Sequence, residues 1–142
     1  MAELTIAKSL NKAYRQVPVE RPVFNIFKAQ LSNYYKQISS IDTEEKLKGD
    51  LMDFLKFTFY SQNYKVSPNG DIDCAIHLGV NVTDPVGVII EVKKPTNATE
   101  MITKEDLNRK ALQELLLYYL RERHIKKNIQ LKQLIVTNVY EY

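Results

Sequence analysis

The stretch "VIIEVKKP", residues 88–95, decides how this chain is read. Val88, Ile89 and Ile90 form an apolar, strand-forming run that passes into Glu91, Val92, Lys93 and Lys94 before Pro95 stops it. So apolar a run suits the middle of a sheet covered on both faces, where strands lose the usual alternation. Charges at its end then need a reason. Side chains two apart on a strand share a face, so Glu91 and Lys93 point one way while Ile90 and Val92 point the other.

Working outward, the run is bounded on the N-terminal side by the turn signal "DPVG" and, before it, by "PNGD" followed by "IDCAIHLGV". There Ile72, Cys74, Ile76 and Leu78 alternate with Asp73, Ala75 and His77, which reads as a hairpin of antiparallel strands. Pairing of 72–78 with 86–93 would set Asp73 beside Glu91. On the C-terminal side, the polar stretch "PTNATEMITKED" leads to a helix expected over about 107–123. Its inward residues are expected to be Leu112, Leu115, Leu116, Tyr119 and Leu120. "LKQLIVTNVYEY" supplies a fourth strand, and a strand, helix and strand in succession imply a parallel pair. Upstream, residues 2–15 carry Leu4, Ile6, Ala7, Leu10, Ala13 and Tyr14 loosely on one helical face. Pro22 sits where an N1 proline opens a second helix to about Ile38. A third helix follows Asp42, expected as its N-cap, with Leu47, Leu51, Phe54, Leu55 and Phe59 at helical spacing. The expected fold is α/β (α+β): a mixed central sheet of about four strands flanked by helices. Residues 1–40 form an N-terminal helical segment and 41–142 the core of one compact domain.

Length and composition agree with this. A chain of 142 residues is one ordinary domain, and 20 Lys plus Arg against 17 Asp plus Glu make it mildly basic, compatible with a polyanionic partner. One cysteine, Cys74, precludes an internal disulfide and reads as a small buried strand residue in a reducing compartment. His77 and His124 stand alone, without zinc-ligand spacing. No apolar run approaches the roughly 20 residues of a membrane span, and no signal-peptide core opens the sequence, so a cytoplasmic protein without membrane contact is expected.

The chemistry follows from placement. Asp73 and Glu91 on adjacent strands resist joint ionisation unless a cation compensates them, and hard oxygen ligands suit Mg²⁺ or Mn²⁺ better than zinc. A divalent ion there would polarise a phosphoryl group and acidify a water, with Lys93 orienting that water or stabilising charge on the phosphate. That is phosphodiester hydrolysis. On the third helix, Glu44 falls about 60° from Leu47 and can point inward as a further metal ligand, while Glu45 falls about 160° away. Glu45, three residues after Asp42, is placed to close a capping box. Gln113, at the edge of the long helix's apolar face, would hold an attacking or metal-bound water, or is a satisfied polar residue at a helix boundary. An E-x-K triplet alone is worthless, since "EEK" at 44–46 is another; the strand context carries the weight. The bland alternative is a salt bridge at a strand end. Asp71 belongs to the turn, Lys94 faces solvent or a backbone phosphate, and Tyr118 and Tyr119 pack. Lys104, Arg109, Lys110, Arg121, Arg123, Lys126 and Lys127 would track a DNA backbone.

The order of Glu44 on a helix, "GDIDCAI" with Asp73, and "IIEVKKP" with Glu91 and Lys93 resembles the PD-(D/E)XK nuclease superfamily. More narrowly, "EEKLKGDLMDFLKFTFY", "DCAIHLG", "PVGVIIEVKKPTNATEM" and "ALQELLLYYLRER" are similar to the N-terminal nuclease domain of type IIG (Eco57I-like) fused restriction-modification enzymes. The resemblance implies a restriction-endonuclease-like core and Mg²⁺-dependent (Mn²⁺-compatible) cleavage of double-stranded DNA. It casts Asp73 and Glu91 as metal ligands, Lys93 as the catalytic lysine, Glu44 or Glu45 as the helix carboxylate and Gln113 as a supporting residue. The residue before Asp73 is Ile72 rather than proline, which leaves the acid in place. In such enzymes a methyltransferase and a target-recognition region follow. The chain ends at "TNVYEY" without an S-adenosylmethionine-binding glycine motif or an NPPY-like motif, so an excised domain or a truncated product is expected. Such a domain would bind DNA weakly through phosphates, with transient homodimers for double-strand cutting. The rival reading is a catalytically silent nucleic-acid or protein-binding module.

Overall fold

A computed structural model describes residues 5, 8 and 12–142. A single helical turn, Lys12–Arg15, precedes α1 (Arg21–Gln37) and α2 (Glu44–Thr58), and a 3₁₀ turn at Tyr60–Gln62 leads into the sheet. Then come β1 (Val66–Asn69), β2 (Ile72–His77), β3 (Val86–Val92), α3 (Lys110–Leu120) with a π-helical turn Arg121–Ile125, and β4 (Gln133–Thr137). The strands lie in the order β1-β2-β3-β4, with β1/β2 and β2/β3 antiparallel and β3/β4 parallel. The described residues therefore form an α+β fold of three main helices around a four-stranded mixed sheet. No helix among them is long and apolar enough to cross a membrane. The helix expected over 2–15 lies, apart from its last turn, outside the described residues.

Both faces of the sheet are covered, which is why β3 could dispense with alternation. On one face Cys74, Ile76, Ile90 and Val92 pack against Tyr34 of α1 and Leu47 and Leu51 of α2. On the other, Ala75, Ile89 and Val136 meet Ala111, Leu115 and Tyr118 of α3. The β1–β2 hairpin turns through Gly70 and Asp71, and Gly70 has φ +62°, a value that costs glycine little. Cys74 is fully buried, and burial pushes its thiol up to about 12.

Three local expectations are corrected. The N-cap of α2 is Thr43, not Asp42: the Thr43 hydroxyl accepts from Lys46 N at 3.3 Å, while Asp42 accepts from Ser39 N at 2.8 Å in the preceding turn. β2 stops at His77, which is buried with Nδ1 2.8 Å from Asp84 O, and Leu78 beyond the strand end is exposed. The third concerns α3, which begins at Lys110 rather than 107 and buries Ala111, Leu115 and Tyr118, leaving Leu116 and Leu120 exposed. "KALQELLLYYL" is apolar on nearly every side, so periodicity could not choose the buried stripe.

Candidate functional site

The ladder pairing Cys74 with Ile90 sets Asp73 across from Glu91, as the sequence suggested. Asp73 is the second residue of β2, and its Oδ2 accepts from the backbone N–H of Val92 at 2.9 Å. Glu91 and Lys93 share a face: Lys93 Nζ lies 2.8 Å from Glu91 Oε1. Both are almost completely buried, at 2 % and 4 % exposure. Lys93 Nζ also donates to Glu114 Oε2 of α3 at 2.7 Å and approaches Glu100 Oε2 at 3.6 Å. Lys110 reinforces this ring, reaching Glu100 at 3.2 Å and Glu114 at 3.8 Å.

A buried carboxylate must be compensated or protonated, and Glu91 is only partly compensated. Its Oε2 is buried without a hydrogen-bond partner. Burial pushes its carboxyl up to about 7; Lys93 opposes the rise, and the charges of Asp73 and Glu114 add to it. The same field reaches Tyr118, whose phenol is raised first by burial and then by Glu91, Glu114 and Asp73.

From α2 comes a lysine absent from the sequence reading. Lys48 Nζ stands 2.8 Å from Asp73 Oδ1, 3.0 Å from Glu45 Oε1 and 3.1 Å from Glu44 Oε1. Glu44 is partly buried, at 31 % side-chain exposure, with its carboxylate on Lys48, whereas Glu45 is 85 % exposed and bonds to Lys48 rather than closing a capping box. The helix spacing that makes this is local, since Glu44 and Glu45 lie four and three residues before Lys48.

The structure brings Asp73, Glu91 and Lys93 to one end of the sheet, with Glu44 joined to Asp73 through Lys48. It does not bring Gln113 there. With Ala111, Leu115 and Tyr118 buried, Gln113 lies on the opposite side of α3, exposed, its amide bonded to Asn108 at 3.0 Å; the neighbouring Glu114 points inward instead. Asp71 stays in its turn and pairs with Arg121 at 2.7 Å. Of the basic residues, Arg109 pairs with Asp106, Lys110 with Glu100 and Lys126 with Glu122, all carboxylates of this chain.

Among the described residues no group of three or more His, Cys, Asp and Glu side chains is set to hold a metal ion. The carboxylates of Glu44, Glu45 and Asp73 converge, but on the Lys48 ammonium. Even so, the donor chemistry at Asp73 and Glu91 suits a hard cation: both are carboxylates on adjacent strands, and Glu91 Oε2 is buried and unpartnered.

Lys48, Glu100 and Glu114 are the members that sequence reasoning missed. Lys48 carried a signal, the Glu-x-x-x-Lys spacing on a helix face. Glu114 required the correct stripe of α3, and Glu100 lies in a loop with no periodicity.

A family model described as "Domain of unknown function (DUF7149)" matches residues 4–142. No curated protein and no solved structure matches the chain.

Proposed function

This chain belongs to the DUF7149 family, and we propose that it is a metal-dependent DNA endonuclease domain, the cleavage module of a type IIG restriction-modification enzyme. One observation carries the reading: Asp73 and Glu91 face each other across two strands, with Lys93 Nζ 2.8 Å from Glu91 and Glu91 Oε2 buried and unpartnered. Such an arrangement is costly for stability alone, and costly buried charge concentrates at functional sites. Asp73 and Glu91 would hold Mg²⁺ or Mn²⁺, with Glu44 as a third carboxylate. Bound there, such an ion would supply Lewis acidity toward a phosphoryl oxygen and toward water. Lys93, held charged against burial by its hydrogen bonds to Glu114 and Glu91, would donate to a non-bridging phosphate oxygen and stabilise the charge that grows there. Hydrolysis joins the water oxygen to phosphorus and breaks one P–O bond to the sugar, the departing oxygen taking a proton. Double-stranded DNA is the substrate, a methyltransferase and target-recognition region would supply the address, and transient homodimers would allow both strands to be cut.

A second reading has its own support. Asp73 and Glu91 are each already paired with a lysine, which suits a catalytically silent nucleic-acid or protein-binding module. Incubation with supercoiled plasmid and Mg²⁺ or Mn²⁺ separates the two. Metal-dependent nicking that disappears in both Asp73→Ala and Lys93→Ala is the nuclease outcome. No nicking, with DNA binding unchanged in both variants, is the outcome that defeats it.

A further inference from the structure

We propose that Lys48 is a built-in competitor for the cation at Asp73, a tethered ammonium that sets how much divalent metal the site requires; this rests on the metal site of the proposed nuclease. Asp73 has two carboxylate oxygens and both are engaged. Oδ2 accepts from Val92 N, a backbone donor fixed by the β3 ladder. Oδ1 is held by Lys48 Nζ at 2.8 Å. Only the lysine can yield, because its four-carbon stem rotates while the strand amide does not. Glu91 needs no such exchange, since its Oε2 has no partner.

Lys48 also has somewhere to go. Glu45 lies one turn back on α2, 3.0 Å from the ammonium, and its side chain is 85 % exposed, so a lysine released from Asp73 keeps a partner at the solvent boundary. With Lys48 withdrawn to Glu45, Asp73 and Glu44 carry a charge of about −2, which a divalent ion neutralises and a single ammonium does not. The side chain of Lys48 is only 13 % exposed, so the competition takes place where charge is weakly screened.

The experiment titrates Mn²⁺ alone into the intact chain, reading free Mn²⁺ by electron paramagnetic resonance and the thermal midpoint in parallel. Lys48→Met keeps the stem and removes the charge. It is expected to bind Mn²⁺ at about a tenfold lower concentration than the unaltered chain, through a site that Asp73→Ala abolishes. Binding seen in Lys48→Met alone carries the same meaning. Equal or weaker binding in Lys48→Met, with the unaltered chain still binding through Asp73, overturns the role of Lys48 and leaves the metal site standing. No Asp73-dependent binding in any form overturns the metal site and this proposal with it. Should Lys48→Met fail to fold, the unaltered chain answers through reductive methylation of Lys48, followed by mass spectrometry. Saturating Mn²⁺ is expected to speed that methylation severalfold, and an unchanged rate overturns the proposal.

Discussion

Two ammonium groups in this molecule are each ringed by three carboxylates, and they are built differently. Lys48 draws two of its partners, Glu44 and Glu45, from its own helix and one, Asp73, from across the sheet. Lys93, just past the end of β3, draws Glu91 from that strand, Glu100 from the loop that follows and Glu114 from α3. The first ring opens to solvent through Glu45, 85 % exposed; in the second, Lys93 is 4 % exposed while its outer carboxylates, Glu100 and Glu114, are partly exposed. Lys48 keeps an exposed partner within one helical turn, whereas Lys93 is held deeper, between a strand end, a loop and a helix.

The largest expected effect follows from removing the more deeply buried cation, Lys93. Lys93→Met leaves Glu91 uncompensated and Glu114 with only Lys110, at 3.8 Å, and should cost about 3–5 kcal/mol in urea unfolding at pH 8, besides abolishing the proposed nicking. A cost equal to that of Lys48→Met would erase the distinction between the rings.

Next is Glu91 itself. Its carboxyl stands near 7 in the fold against an ordinary 4.5, so the folded state binds that proton more tightly than the unfolded chain does. The stabilisation is complete below pH 4.5 and is lost as pH rises through 7. Glu91→Gln, which is neutral throughout, should therefore gain about 2 kcal/mol over the unaltered protein at pH 8 and little at pH 4. A difference that does not change between those pH values counts against a sealed, partly compensated acid.

Smaller effects test α3. Glu114→Gln should cost about 1 kcal/mol and weaken nicking, because it removes one hydrogen-bonded partner of Lys93. Gln113→Ala should stay within about 0.5 kcal/mol and leave nicking within twofold, since its side chain faces solvent and Asn108. The reverse ranking would restore Gln113 as the supporting residue. At the rim, Glu45→Ala should change stability by less than about 0.5 kcal/mol, as exposed helix pairs do.

Much of this site was legible before any coordinates. The apolar run into Glu91, the hairpin that sets Asp73 opposite it, and the two-residue spacing of Glu91 and Lys93 all follow from the strand period, which is rigid enough to assign faces over a few residues. Glu44 is the less exposed of the two neighbouring glutamates for the same kind of reason, through the 100° step of a helix with a clear apolar stripe. Gln113 misled because α3 is apolar nearly all round, so that its orientation was decided by which leucines the sheet accepted. The Asp42 cap misled because Ser39 competed for the same carboxylate.

What the chain determined by itself is the alternation of period-2 and period-3.6 segments, and with it the sheet order and the neighbouring acids at positions 73 and 91. Only the tertiary structure decided which cation each acid meets, because Lys48 and Glu114 reach the site through space and not through any repeat in the sequence. Short-range periodicity aims a side chain. Whether it finds solvent, a lysine or an unpartnered pocket depends on what distant segments bury beside it, and on the desolvation that burial imposes.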